Sequence, residues 1–124
     1  MGIPIKKSRP VEVDGQMYRW MIREGKPRRK VITGFASHSI MMFECRILTV
    51  QKMKEDKPEG QILQLSLYWM EPDALNEIAF FPEDARRIVR LALEKGWNPD
   101  GEGVCKDLQI QAGMWETVVA LIDD

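Results

Sequence analysis

Long hydrophobic runs are missing from this sequence. No stretch approaches the roughly 18 apolar residues that a membrane-spanning helix needs, so no membrane role is expected. Histidine occurs once, at His38, and cysteine twice, at Cys45 and Cys105, far apart and without a metal-like spacing. No metal site and no cofactor are therefore expected. The first ten residues are basic but have no apolar segment behind them, so they do not read as a secretory signal. A cytoplasmic setting is expected, where both thiols stay unpaired. Strong net charge is absent too: the balance of −1 argues against a general nucleic-acid binder. No internal repeat or low-complexity tract is visible.

Large apolar volume is plentiful. Four Trp, four Phe and eight Met stand in a chain of 124 residues, which is one domain by size. Such a chain buries about two-thirds of its unfolded surface, so one core holds it without staples. The charge is unevenly spread. Residues 1–62 hold 13 Lys/Arg and 7 Asp/Glu, a balance of +6, while residues 63–124 hold 5 and 12, a balance of −7. This asymmetry favours an acidic partner or a head-to-tail contact between copies.

Local patterns predict an α+β fold: an antiparallel sheet of four to five strands with one main helix packed on a face. Residues 1–10 read as a basic, extended or mobile arm, and residues 11–124 as the single domain. Val11–Val13 and Met17–Arg23 read as strands joined by Asp14-Gly15, a type I′ hairpin signal. In the second strand Tyr18, Trp20 and Ile22 alternate with Met17, Arg19, Met21 and Arg23, which predicts an aromatic inner face. Residues 24–30 read as a polar loop and 31–38 as a short strand or irregular link. Residues 40–52 and 61–69 read as a hairpin around a polar loop at 54–60, with Phe43, Cys45, Ile47 and Thr49 on one face. After a connection over 70–81, Pro82–Lys95 reads as the helix. Pro82 suits the first helical position, Glu83 and Asp84 the first turn, and Gly96 the residue just past the end. Residues 108–111 read as a strand, and 115–122 fit either a helix or a strand. The four tryptophans read as core.

Two stretches together, Tyr18-Arg19-Trp20-Met21-Ile22-Arg23 and Pro82…Arg86-Arg87-Ile88-Val89-Arg90…Ala92-Leu93…Gly96-Trp97-Asn98-Pro99, carry a resemblance. They resemble a group of small bacterial proteins with an early YRWxIR-like strand and a late proline-initiated helix ending in GW-x-P. The resemblance implies a fold and a bacterial setting, and carries over neither an activity nor a site. Members of that group place Thr before the helix proline. Here Phe81 stands there, so a cap must come from another residue or from water.

Candidate chemistry is sparse. His38 with Cys45 could form a base–nucleophile pair, yet no hydrolase signature surrounds either residue. Cys105 beside Lys106 could be a reactive thiol. Glu71, Asp73, Glu77, Glu83 and Asp84 cluster in sequence but lack a calcium-loop spacing. On the helix, Glu83–Arg87 and Arg90–Glu94 have ion-pair spacing. The strongest polar feature is basic: Arg19 and Arg23 on one strand face, followed by Lys26, Arg28, Arg29 and Lys30. Together these groups could bind phosphates or an acidic protein surface. The expected function is therefore a non-enzymatic bacterial binding or accessory protein, of a regulatory, immunity or defence-associated kind, acting on a protein partner or on a second copy of itself. A nucleic-acid-associated protein using the basic residues is the alternative, and a small enzyme ranks behind both because no acid–base or nucleophile constellation converges.

Overall fold

A computed structural model describes residues 2–26, 28–33, 38–70, 80–106, 108–112 and 115–117, by their backbone alone at 28–33, 38–42, 70 and 116. Strands β1 (Arg9–Val13) and β2 (Gln16–Glu24) form the expected hairpin. Asp14 (φ 50°) and Gly15 (φ 85°) close it with the two positive φ angles of a type I′ turn. Strands β3 (Arg28–Thr33) and β4 (His38–Lys54) follow, then β5 (Lys57–Pro58) and β6 (Ile62–Met70). Helix α1 spans Pro82–Glu94, and β7 (Val104–Cys105), β8 (Gln111–Ala112) and β9 (Trp115–Glu116) are two-residue segments.

The class is α+β, and the sheet is mixed and mostly antiparallel. Its main path runs β1-β2-β4-β6-β9-β8, with β3 and β5 pairing β4, and β7 pairing β6 in parallel. The expected count of four to five antiparallel strands is thus only roughly matched. The 17 residues of β4 organise everything else: β6 lines one edge from Phe43 to Val50, while β2 and β3 line the other in succession.

Alternation assigns the faces. Tyr18, Trp20, Leu48, Val50, Leu63, Leu65, Leu67 and Trp69 point inward and are buried. Against them α1 lays Ala85, Ile88, Val89 and Ala92, the buried stripe that the i, i+3, i+4, i+7 spacing required, while Leu93 is half-buried. The small alanines let the helix sit close to the sheet. Phe81 gives no side-chain cap, and only the reciprocal half of a capping box forms: the Asp84 carboxylate accepts the Phe81 N–H at 2.8 Å. At the other end Trp97 N–H donates to the Ala92 carbonyl at 2.9 Å and Gly96 N–H to that of Leu93 at 3.3 Å, a Schellman closure that Gly96 permits at φ 108°.

Several local expectations change. Residues 28–30 are not loop: they pair β4, with Arg28 opposite Phe43, Arg29 opposite Met42 and Lys30 opposite Met41. Cationic side chains are weak strand formers, but the long edge of β4 offers a ladder that backbone groups fill before propensity matters. The loop expected at 54–60 shrinks to a two-residue turn, Glu55-Asp56, between Lys54 and Lys57. The last expected strand begins later, at Gln111. Trp115–Glu116 is strand, and 118–122 lie outside the described residues. Glu83 pairs with Arg86, and Arg90 with Asp14 at 3.4 Å, instead of the two i, i+4 partners. The β1–β2 hairpin reaches α1: Asp14 in its turn receives Arg90, and the Glu12 carbonyl of β1 accepts from Arg86 Nε at 3.0 Å.

Residues 2–8, expected as an arm, lie against the sheet. Ile3 and Ser8 are buried. The Ile3 N–H donates to Gln51 Oε1 at 2.8 Å, and Gln51 Nε2 donates to the Gly60 carbonyl at 2.8 Å. Gln51 is itself buried, and these two bonds meet its polar demand.

Candidate functional site

The six basic residues singled out in the sequence do not stay together as one patch. Arg19 sits where β1 still pairs β2, opposite Pro10. Its guanidinium holds the turn before β1: Nε donates to Ser8 Oγ at 2.7 Å, and Nη2 to the carbonyls of Ile5 and Ser8. Arg19 is thus a structural hook, half-buried, and not part of a free binding row.

The other five lie along a single line of backbone. Pairing of β1 with β2 ends at Arg9 opposite Trp20, because the chain turns away at Ser8, where the Ser8 N–H bonds the Ile5 carbonyl. Beyond Trp20 the outer edge of β2 has no partner strand among the described residues. The β4 ladder continues through the Gly25 N–H, which donates to the Cys45 carbonyl at 3.0 Å, and resumes with β3. Glu24 opposes Arg46 and Arg28 opposes Phe43, so the register along β4 shifts by one residue between β2 and β3, the signature of a β-bulge. Among the described residues an open edge therefore runs along β2 from Met21 and along β3 to Thr33, with one register shift between them. It carries Arg23, Lys26, Arg28, Arg29 and Lys30 against a single acid, Glu24.

Gly25 makes this passage possible. A Cβ there would stand 2.5 Å from Cys45 Sγ and 3.2 Å from Ile47, so the backbone could not approach β4 so closely. Arg23 and Lys26 are exposed, and no carboxylate among the described residues pairs with either.

The remaining candidates separate. His38 and Cys45 stand seven positions apart on one extended strand, roughly 23 Å by strand rise, so they cannot form a catalytic pair. Cys45 is buried and Cys105 half-buried, and no disulfide joins them. Glu71, Asp73 and Glu77 lie outside the described residues. Among the described residues no three His, Cys, Asp or Glu side chains come close enough to hold a metal, and no helix is long and apolar enough to cross a membrane.

A groove of about 800 Å³, which the sequence did not suggest, opens between the end of β4 with the β5–β6 loop and the loop before β7. Lys52, Lys54, Glu59, Asp100 and Glu102 line it, and Lys52 Nζ is bound to Asp100 at 2.6 Å. That hydrogen bond raises the Lys52 pKa, and burial raises that of the neighbouring Tyr18 phenol. The mixed signs and the spent lysine leave the groove without a convergent chemistry. No family model, curated protein or solved structure matches this chain.

Proposed function

We propose that this chain is a non-enzymatic bacterial binding module that receives an acidic protein partner along the open edge of β2 and β3. The observation that carries this reading is that five cations fall on an edge with no partner strand among the described residues, where Arg23 and Lys26 are exposed and lack carboxylate partners. Like charges held this close repel one another, and a counter-charge relieves that repulsion. A nucleic acid is the second reading, favoured by one fact: residues 25–43 contain four Lys/Arg and no Asp/Glu. The same stretch carries Val31, Ile32, Ile40, Met41 and Met42, which offer phosphates nothing, and the chain as a whole is slightly acidic.

Fluorescence anisotropy tests the choice with a labelled poly-glutamate peptide and a labelled DNA duplex. The peptide is expected to bind at physiological salt, and Arg23→Glu with Lys26→Glu to weaken it by about tenfold. Tighter binding of the duplex, falling steeply with salt, would transfer the assignment to nucleic acid.

A further inference from the structure

We infer that the partner docks by strand addition: an extended acidic segment pairs its backbone with the open edge between Met21 and Thr33. The inference rests on the acidic-partner reading and adds the mode of contact. Its first support is the shape of the sheet. The ladder between β6 and β4 ends at Phe43 opposite Met70, whereas β3 continues along β4 to Thr33 opposite His38. Beyond Phe43 the sheet is therefore a two-stranded ribbon among the described residues. A two-stranded ribbon is marginal in water, and a third strand gives it the pairing that makes a sheet stable. Each residue of the exposed edge that points a backbone N–H or C=O outward has a group that water or an incoming strand must satisfy.

The second support is charge. Five cations against one acid disfavour the pairing of this edge with the same edge of another copy, where like charges would meet. The same charges favour an incoming strand rich in Asp or Glu. One feature thus excludes the wrong partner and attracts the right one, which is how specific interfaces discriminate. The bulge limits where pairing is continuous. Pro27 has no N–H to give, and β3 beyond it offers an unbroken strand of six residues, Arg28–Thr33. Six residues is an ordinary strand length, enough for peptide capture by edge addition.

The test leaves the protein unchanged and alters the probe. A short peptide alternating glutamate and valine is compared with two versions that are N-methylated on alternate residues, one for each parity. In an added strand only one parity of amides faces the ladder. Anisotropy is expected to show loss of about tenfold or more for one parity and near-parent affinity for the other. Hydrogen exchange is expected to slow in Arg28–Thr33 when the parent peptide binds. Equal affinity for both methylated peptides and the parent would overturn strand addition while leaving the acidic-partner reading intact. Failure of poly-glutamate and all three peptides would sink both. Slowed exchange of Arg28–Thr33 in a dimer of the chain alone, or on DNA at physiological salt, without any peptide effect, would assign the edge to those occupants instead.

Discussion

Individual residues in this chain are committed by their neighbours more than by their type. Arg19 and Arg23 are four apart on one strand face, yet Arg19 gives its guanidinium to three acceptors around Ser8 while Arg23 meets solvent. Arg19→Gln is expected to loosen residues 2–8, read as faster trypsin cleavage after Lys6 and Lys7 with little change in the unfolding midpoint. Gly25 is constrained from the other side. Gly25→Ala forces a carbon against Cys45 Sγ and is expected to cost about 1–3 kcal/mol in urea unfolding, partly recovered by adding Cys45→Ala. Three buried indole N–H groups, of Trp20, Trp69 and Trp97, have no hydrogen-bond partner among the described residues. Ring packing offsets that cost: Trp20 meets Phe80 at 5.4 Å, Trp69 meets Trp115 at 4.8 Å and Trp97 meets Tyr18 at 5.7 Å between centroids.

The elements divide into those with strong local signals and those that exist only in company. Helix α1 has its proline start, its acidic first turn, its apolar stripe and its glycine stop, and it forms where these place it. Ile88 is fully buried under it, so Ile88→Ala is expected to cost about 2–5 kcal/mol and to lower the thermal midpoint without altering the edge cations. Strand β3 is the opposite case. Arg28-Arg29-Lys30 resembles a solvated loop by composition, and only the vacant edge of β4 makes it a strand. The parallel β6–β7 contact is two residues long and has no sequence signal of its own.

At the scale of the molecule, α1 covers one sheet face, and among the described residues no strand pairs the far edge, whose sequence is rich in cations. The folded state also raises the pKa of both Tyr18 and Lys52 above their ordinary values of 10.0 and 10.5. For Tyr18 burial is the main cause, so the neutral phenol is favoured in the native state. A raised native pKa contributes stability that is full below the unfolded value and is lost as pH rises through the native one. Denaturant unfolding is therefore expected to show constant stability up to about pH 9 and a decline above pH 10, with Tyr18→Phe flattening the decline. The sequence by itself determined the class, the main helix, the first hairpin and the aromatic inner face, because each of these follows from spacing within a few residues. It also marked the cations. Which of them stand free was a tertiary decision. The turn at Ser8 captured Arg19 and ended the pairing of β1 with β2, a register shift carried the β4 ladder on from β2 to β3, and no strand among the described residues pairs the outer edge beyond Trp20. Each depends on which distant backbone groups find partners, and no local pattern encodes that.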